Sequence, residues 1–459
     1  MSRPLLSAEP PEKGGSREQL NPYASPAEAS APIVPDPAAI AAAAVRRQEM
    51  LILLVLAAIQ FTAIVDFVVV MPLGPELMKA LKIGPFEYGL IVESYTFAAG
   101  IAGLVAAALV DRFSRRSAFL TLFAGFLIGT LCCALAPNYQ LLIAARAVTG
   151  FFGGILGGMA MAIVGDVFPE ERRGRATGAL MSAFAIASIM GVPFGLMLGQ
   201  NFGWHVPFVA LVILGIPVFA LAAVTLPPLR DHLAKSHTPP LQALLQTFQS
   251  SSNLNAFALM GALMIGSFAV IPYINPYLVA NVGVPKAYLP LVYFTGGLLT
   301  LIISPIVGRL ADRFGKLLMF RITAPLSALM LIAVTFLPPL PPLLAVLVVS
   351  GLIVTNSGRM IAAMAMITGT VPPQQRGAFL SANASMQHIA SGLGTLLASY
   401  VVTEAADGHL QHFGTVGLFA CAITLFSIWI AGRLRQPVTS ARPISMETEL
   451  AAVSAAEHG

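Results

Sequence analysis

Charge is scarce in this sequence. Only 10% of the 459 residues are Asp, Glu, Lys or Arg, against about 25% in a typical soluble domain, while 57% are hydrophobic. A chain so composed cannot hide its apolar surface in a water-soluble core, and it belongs in a bilayer. Cysteine is nearly absent: Cys132, Cys133 and Cys421 all lie inside apolar runs, which excludes a disulfide framework or a zinc-ligand spacing. The sequence has no paired-His metal motif, no nucleophile elbow and no Gly-rich phosphate loop with its Lys. Converging catalytic groups are therefore missing, and neither enzyme chemistry, a metal nor any other cofactor is expected. The first 45 residues lack a basic head followed by an apolar segment and do not read as a signal peptide. Rich in Pro, Ala, Ser and Glu, they read as a disordered tail.

What the sequence has instead is apolar runs of about 20 residues, each enough to span a hydrocarbon core roughly 30 Å thick at 1.5 Å per residue. About twelve can be counted. The first six run Met50 to Leu73, Tyr88 to Val110, Ala118 to Ala136, Tyr139 to Phe168, Ala176 to Gln200 and Trp204 to Leu226, with Pro, Gly, Asn or charge at each boundary. The division predicted is a tail (1–45), a six-helix bundle (46–226), a polar linker (227–252), a second bundle (253–434) and a polar tail (435–459). The formal net charge of +5 reads as topology, since Lys and Arg cluster in the short connections. Nucleic acid is not an expected partner. Alternate connections carry Arg46, Arg47, Arg112, Arg115, Arg116, Arg172, Arg173 and Arg175, then Arg309, Arg313, Lys316, Arg376 and Arg433, whereas the others hold only Lys79, Lys82 and Lys286. Basic residues are retained on the cytoplasmic side. The expectation is a multi-pass protein of the cell (inner or plasma) membrane with both termini cytoplasmic.

The chain also repeats itself. Asp111-Arg112-Phe113 with Arg115 returns about 201 positions later as Asp312-Arg313-Phe314 with Lys316, and Pro169-Glu170-Glu171-Arg172 returns as Pro373-Gln374-Gln375-Arg376. Ile186-Ala187-Ser188 with Gly191 likewise returns as Ile389-Ala390-Ser391 with Gly394. Halves of even span number enter the membrane the same way up, which predicts a parallel repeat rather than an inverted one.

With duplication, topology and charged breaks in place, the stretch from about Arg47 to Arg435 resembles the major facilitator superfamily. Its loop signature Gly-x-x-x-Asp-Arg-x-Gly-Arg/Lys is met at Gly308, Asp312, Arg313, Gly315 and Lys316; in the first half Ala107 and Ser114 stand in place of both glycines, while Asp111, Arg112 and Arg115 fit. Asp66 with Met71-Pro72 is similar to span one of proton-driven exporters, and Arg146 with Gly150 to the Arg-x-x-x-Gly signature of span four. Gly191-Val192-Pro193-Phe194-Gly195 resembles span five of the arabinose-efflux-permease-like branch, with Val192 interrupting the antiporter Gly-Pro pair. The resemblance implies an all-α membrane fold of twelve helices in two parallel six-helix repeats. It also implies that Asp111 and Asp312 each contact the start of a helix in the opposite half, near Gln374 and Glu171, as helix N-termini attract anions. Arg112, Arg115, Asp166, Arg172 and Arg376 join that gating network.

Charges at bilayer depth cost about 2.5 to 3.5 kcal/mol each on insertion scales and usually face a cavity or a partner. Counting residues from the span ends puts Asp66, Glu93 and Arg146 in one layer, on the order of 10 Å below the outer surface. Asp66, and secondarily Glu93, is the candidate proton carrier, with Arg146 lowering the proton affinity of whichever carboxylate it approaches. A static salt bridge that fixes helix rotation is the alternative. The cavity candidates are Thr62, Asp66 and Arg146 in the first half and Tyr273, Tyr277, Asn356, Arg359, Asn383 and Gln387 in the second, where Arg359 is the one charge deep within a span. His388 points about 100° away from Gln387 and reads as a packing residue. Gly150, Gly153, Gly154, Gly157 and Gly158 make one bare helix face, which favours close packing. The leading expectation is a monomeric proton-coupled exporter of a small organic molecule, sugar-like or drug-like, working by alternating access. A facilitator or importer on the same fold, or a transporter-like sensor, is the alternative.

Overall fold

The computed structural model describes residues 37–109, 114–227, 240–371 and 376–434. In chain order its long helices are α1 (Pro37–Val69), α2 (Pro85–Leu109), α3 (Arg115–Leu135), α4 (Tyr139–Val167) and α5 (Glu170–Ile186, carried through a π turn at Ala187–Gly191 into Val192–Phe202). They continue with α6 (Val206–Thr225), α7 (Ser251–Val270, extended by short turns to Val282), α8 (Leu289–Phe314), α9 (Lys316–Thr335), α10 (Pro342–Gly369), α11 (Arg376–Val401) and α12 (Phe413–Gly432). Among the described residues, eleven helices are long and apolar enough to cross a membrane.

The exception is α11. Its 26 residues are long enough, but Ser381, Asn383, Ser385, Gln387, His388 and Ser391 lower its hydropathy. The polarity is tolerable because α11 packs between α2 and α7, where Asn383, Ser385 and Ser391 are buried, while its exposed face carries Leu380, Leu393 and Leu397. At the other end of the chain α1 reaches back to Pro37, so the stretch 37–45, read from the sequence as tail, is helical. Proline fits a first helical turn and the Ala run that follows is the strongest helix-forming sequence available. The linker contains a short helix, Pro240–Gln249. Residues 1–36 and 435–459, and the first charged break with Asp111 and Arg112, lie outside the described residues.

The duplication is repeated in the packing. α2 packs on α4, α3 on α4 and α3 on α6; six helices on, α8 packs on α10, α9 on α10 and α9 on α12. The pairing of α1 with α5 has its counterpart in α7 with α11. The halves meet along two seams that are themselves related by the repeat, α2 with α11 and α5 with α8.

Small residues make these approaches possible, since helices in lipid gain little from hydrophobic burial and associate by close packing. Gly191, Gly195 and Gly199 of α5 lie against Val65, Val69 and Leu73. Gly150 and Gly154 of α4 lie against Tyr95 and Ala99 of α2, so closely that a Cβ on Gly150 would sit 2.3 Å from the Tyr95 carbonyl oxygen. The same face changes character further along. Gly157 meets only the Gln60 side chain, at 3.4 Å, and Gly158 meets nothing within 4 Å. The π turn in α5 ends two residues before Pro193, which has no backbone donor, and absorbs the break in the helical ladder.

Candidate functional site

The centre of the first half is an ion pair. α1 runs towards the arginine-poor face and α4 away from it, so their mid-span residues meet at one depth. Arg146 Nη1 lies 2.7 Å from Asp66 Oδ2 and 3.3 Å from the Asp66 carbonyl oxygen, and the Thr130 hydroxyl of α3 donates to Asp66 Oδ1 at 3.3 Å. Asp66 is 0% and Arg146 1% exposed. The guanidinium also lies over the Tyr95 ring of α2, 4.5 Å from its centroid, a cation–π contact strengthened by desolvation. Nε of Arg146 is buried without a hydrogen-bond partner among the described residues. Thr62 is buried one turn away and donates to the Ala58 carbonyl of its own helix.

Glu93 is at the same level but outside the pair. It shares the α2 face of Gly89, Thr96 and Gly100, which is pressed onto α11: Gly89 against Ser399 and Tyr273, Thr96 against Gly392, Gly100 against Ile389. Glu93 is 5% exposed, and its Oε2 is buried with no hydrogen-bond partner among the described residues.

The seam is fastened at the arginine-poor end. Tyr88 places its hydroxyl 2.8 Å from the Met71 carbonyl oxygen and 3.0 Å from that of Pro272 in the other half. Tyr273 donates to the Pro85 carbonyl at 2.9 Å, Asn275 Nδ2 to the Pro72 carbonyl at 3.1 Å, and Gln200 Nε2 to the Lys286 carbonyl at 3.0 Å. Lys286 Nζ pairs with Glu76 Oε1 at 2.8 Å. Tyr273, a cavity candidate in the sequence, is therefore part of this fastening, and Tyr277 donates to the Leu337 carbonyl within its own half. Removing the Tyr88 hydroxyl takes away the proton shared between the Met71 and Pro272 carbonyls, of which Met71 keeps the Gly74 N–H. Tyr88→Phe should cost about 1–2 kcal/mol on the scale of buried hydrogen bonds, and amide exchange in Gly74–Leu81 should quicken, as read by mass spectrometry.

In the second half Arg359 is 0% exposed and held by neutral groups on three helices. Nε donates to Asn356 Oδ1 (2.9 Å), Nη1 to Thr424 of α12 (2.8 Å) and Nη2 to Ser267 of α7 (2.7 Å). Asn383 is buried with Oδ1 unpartnered among the described residues, and Gln387 is half-buried one turn on. Between the halves Phe67 touches the Tyr95 and Phe268 rings at 5.1 and 6.0 Å, and meets His388 edge-on at 6.2 Å. Phe67, Phe268 and His388 are each only partly buried. This aromatic bridge joins the Arg146 neighbourhood to α7 and α11. Sequence reading missed Tyr95, Thr130 and Phe268, since a tyrosine, a threonine and a phenylalanine within apolar spans carry no signal of what they face.

The arginine-rich face looks different. Arg115 Nε lies 3.3 Å from Asp166 Oδ2, Arg172 Nη1 2.7 Å from Glu49 Oε2, and Lys316 Nζ donates to the Ala365 carbonyl at 3.1 Å. Each of these joins helices of one half. Asp312 is exposed, and no described bond ties it to the start of α5. Arg313 lies over the Phe314 ring, Gly308 meets nothing within 4 Å, and Gly315 takes the positive φ of +97° that ends α8. The side chains of Glu171 and Arg376, with Asp111 and Arg112, lie outside the described residues. Among the described residues the polar bonds between halves thus gather at one end, and the bare face of α4 opens towards the other.

The sequence profile described as Major Facilitator Superfamily matches residues 56–353 and 256–456. The chain is 24% identical to the MFS-type transporter YceJ of Bacillus subtilis over 375 residues, 81% of this chain and 93% of that one. It is 26% identical to YtbD of the same organism over 265 residues, 58% of this chain and 66% of the relative. A protein of Pasteurella multocida named "Probable sugar efflux transporter" is 26% identical over 192 residues, 42% of this chain and 46% of that one. Among solved structures, a bacterial homologue of the human lysosomal transporter Spinster, in an inward-facing and unoccupied conformation, superposes with a TM-score of 0.68 at 17% identity. It covers 85% of this chain and 99% of its own.

Proposed function

This chain belongs to the Major Facilitator Superfamily, and from that premise we propose that it is a proton-coupled exporter of a small organic molecule. The arginine-rich face is cytoplasmic by the distribution of basic residues, so the fastened seam closes the outer side and the cleft opens inward. The observation that carries the reading is the Asp66–Arg146 pair, fully buried yet joined through Tyr95 and Phe67 to the other half. Protonation of Asp66 weakens its hold on Arg146, frees the guanidinium and biases the halves towards the other access state. Substrate and proton compete for the same charged centre, which is the condition for antiport. The half-buried rings of Phe67, Phe268 and His388 offer apolar faces to a sugar ring or an amphiphilic drug, and the sugar-efflux relative supports the first class. The plasma membrane is the expected location, with the monomer as the working unit.

Purified protein in proteoliposomes, with an outward or inward pH gradient imposed, should accumulate at least one member of a panel of labelled pentoses, disaccharides and cationic dyes against its concentration gradient. The movement should oppose that of protons. Uptake that ignores the pH gradient would point instead to a facilitator, and binding without counterflow of label to a sensor.

A further inference from the structure

We infer that Glu93 is a second proton site, a latch in the α2–α11 seam that lets the arginine-poor end close only when its carboxyl is neutral. The inference rests on alternating access by the two halves. It differs from the role of Asp66 in what the proton does. Glu93 takes a proton from the water on the arginine-poor side as the seam closes and returns it to that side as the seam reopens, so it sets when the gate shuts and adds nothing to the protons carried per substrate.

The geometry leaves little room for an ionised Glu93. Glu93 is 5% exposed and its Oε2 is buried with no hydrogen-bond partner among the described residues, and an ionised carboxylate buried without a cation carries a penalty that only an ion pair or protonation relieves. Among the described residues the elements around Glu93 present no free cation. From α7 comes Tyr273, whose hydroxyl is engaged with the Pro85 carbonyl. From α11 come Ser399 and Thr395, neutral hydroxyls bonded to backbone, while His388 of that helix sits against Phe67. On α2 itself Tyr88 is engaged with Met71 and Pro272. The buried arginines are committed elsewhere, Arg146 to Asp66 and Arg359 to Asn356, Thr424 and Ser267. Lys286 is held at the rim by Glu76. Position completes the argument. Glu93 lies one turn inward of Gly89, where α2 presses on Ser399 and the Tyr273 hydroxyl. Opening the seam at this level wets Glu93, and closing it dries Glu93.

The test is amide exchange in the full-length protein in lipid nanodiscs, read by mass spectrometry and corrected for the intrinsic pH dependence of exchange. Peptides from Gly74–Leu81 and Lys286–Tyr288 report on the gate. In the wild type their protection should fall about tenfold or more as pH is raised from about 5 to about 9, a window that contains carboxylates displaced by burial. Glu93→Gln, isosteric and neutral, should stay protected throughout, while Glu93→Asp should keep the pH response. Glu93→Met is the second neutral variant and carries the same expectation if the amide variant does not fold. A wild type with no pH response, or a neutral variant that follows the wild-type curve, overturns the latch. Peptides at the arginine-rich ends of α5 and α10 distinguish failure of the underlying reading: if their protection does not rise when the gate opens, the halves do not alternate, whatever Glu93 does.

Discussion

Asp66→Leu and Arg146→Met, made singly, should each lower the free energy of unfolding by about 3–5 kcal/mol, because each leaves a buried charge without its partner. The double variant should recover most of that loss, since apolar groups of similar volume replace a buried pair at little net cost. Equilibrium unfolding in mixed micelles gives all four corners of the cycle. Transport separates the two meanings of the pair. If it couples protons to the cleft, all three variants fail to drive substrate uphill on a pH gradient, the stable double variant included. A pair serving only as a brace between α1 and α4 would predict that the double variant transports. On the proposed coupling route, the guanidinium leans on Tyr95, whose ring meets Phe67 at the junction of the halves.

Gly150→Leu should be the most damaging single change to the fold. A Cβ there would meet the carbonyl oxygen, Cα and carbonyl carbon of Tyr95 at 2.3, 2.7 and 2.8 Å, all backbone atoms of α2 that move only if the two helices separate. Overpacking a core typically costs about 1–3 kcal/mol when side chains can yield, and this site exceeds that range because backbone must shift. Separation also moves Tyr95 away from Arg146. The expected result is loss of monodisperse protein, or a fall in melting temperature well beyond that of any surface change. Gly158→Leu on the same helix is the control. Nothing lies within 4 Å of a Cβ there, and its stability should stay within about 0.5 kcal/mol of wild type.

Much of the fold was legible because lipid imposes coarse rules. Apolar length marks a span, arginine marks a side, and a repeat offset marks two bundles with the same pairing of helices. α11 escapes the first rule because the face it turns to α2 and α7 holds Asn383, Ser385 and Ser391, and a buried helix face is under no pressure from lipid to be apolar. The start of α1 was misjudged for the opposite reason: the stretch 37–45 is compositionally plain, but an Ala run behind Pro37 propagates a helix whatever its surroundings. In the site, depth counting put Asp66, Glu93 and Arg146 in one layer, and depth is all it could supply. Which carboxylate faces Arg146 depends on the rotation of α1 and α2 about their axes, set by Gly150 and Gly154 against α2 and by Gly191 and Gly195 against α1. No single-sequence signal encodes that rotation. Asn356 beside Arg359 was visible as a spacing of three, whereas Ser267 and Thr424, the other two partners, come from distant helices. The fastening of the arginine-poor end was hidden too, because tyrosines near span ends are common interfacial anchors and only the packed halves show that Tyr88 and Tyr273 reach carbonyls across the seam.

The most direct measurement is proton movement driven by substrate alone. Proteoliposomes enclosing a pH-sensitive dye, with no initial pH gradient, receive on one side a substrate found in the sugar and dye panel. Wild-type protein should move protons opposite to the substrate in a fixed ratio, and Asp66→Asn should exchange substrate with no proton signal. Substrate flux without proton movement in the wild type, or an undiminished signal in Asp66→Asn, would contradict the account.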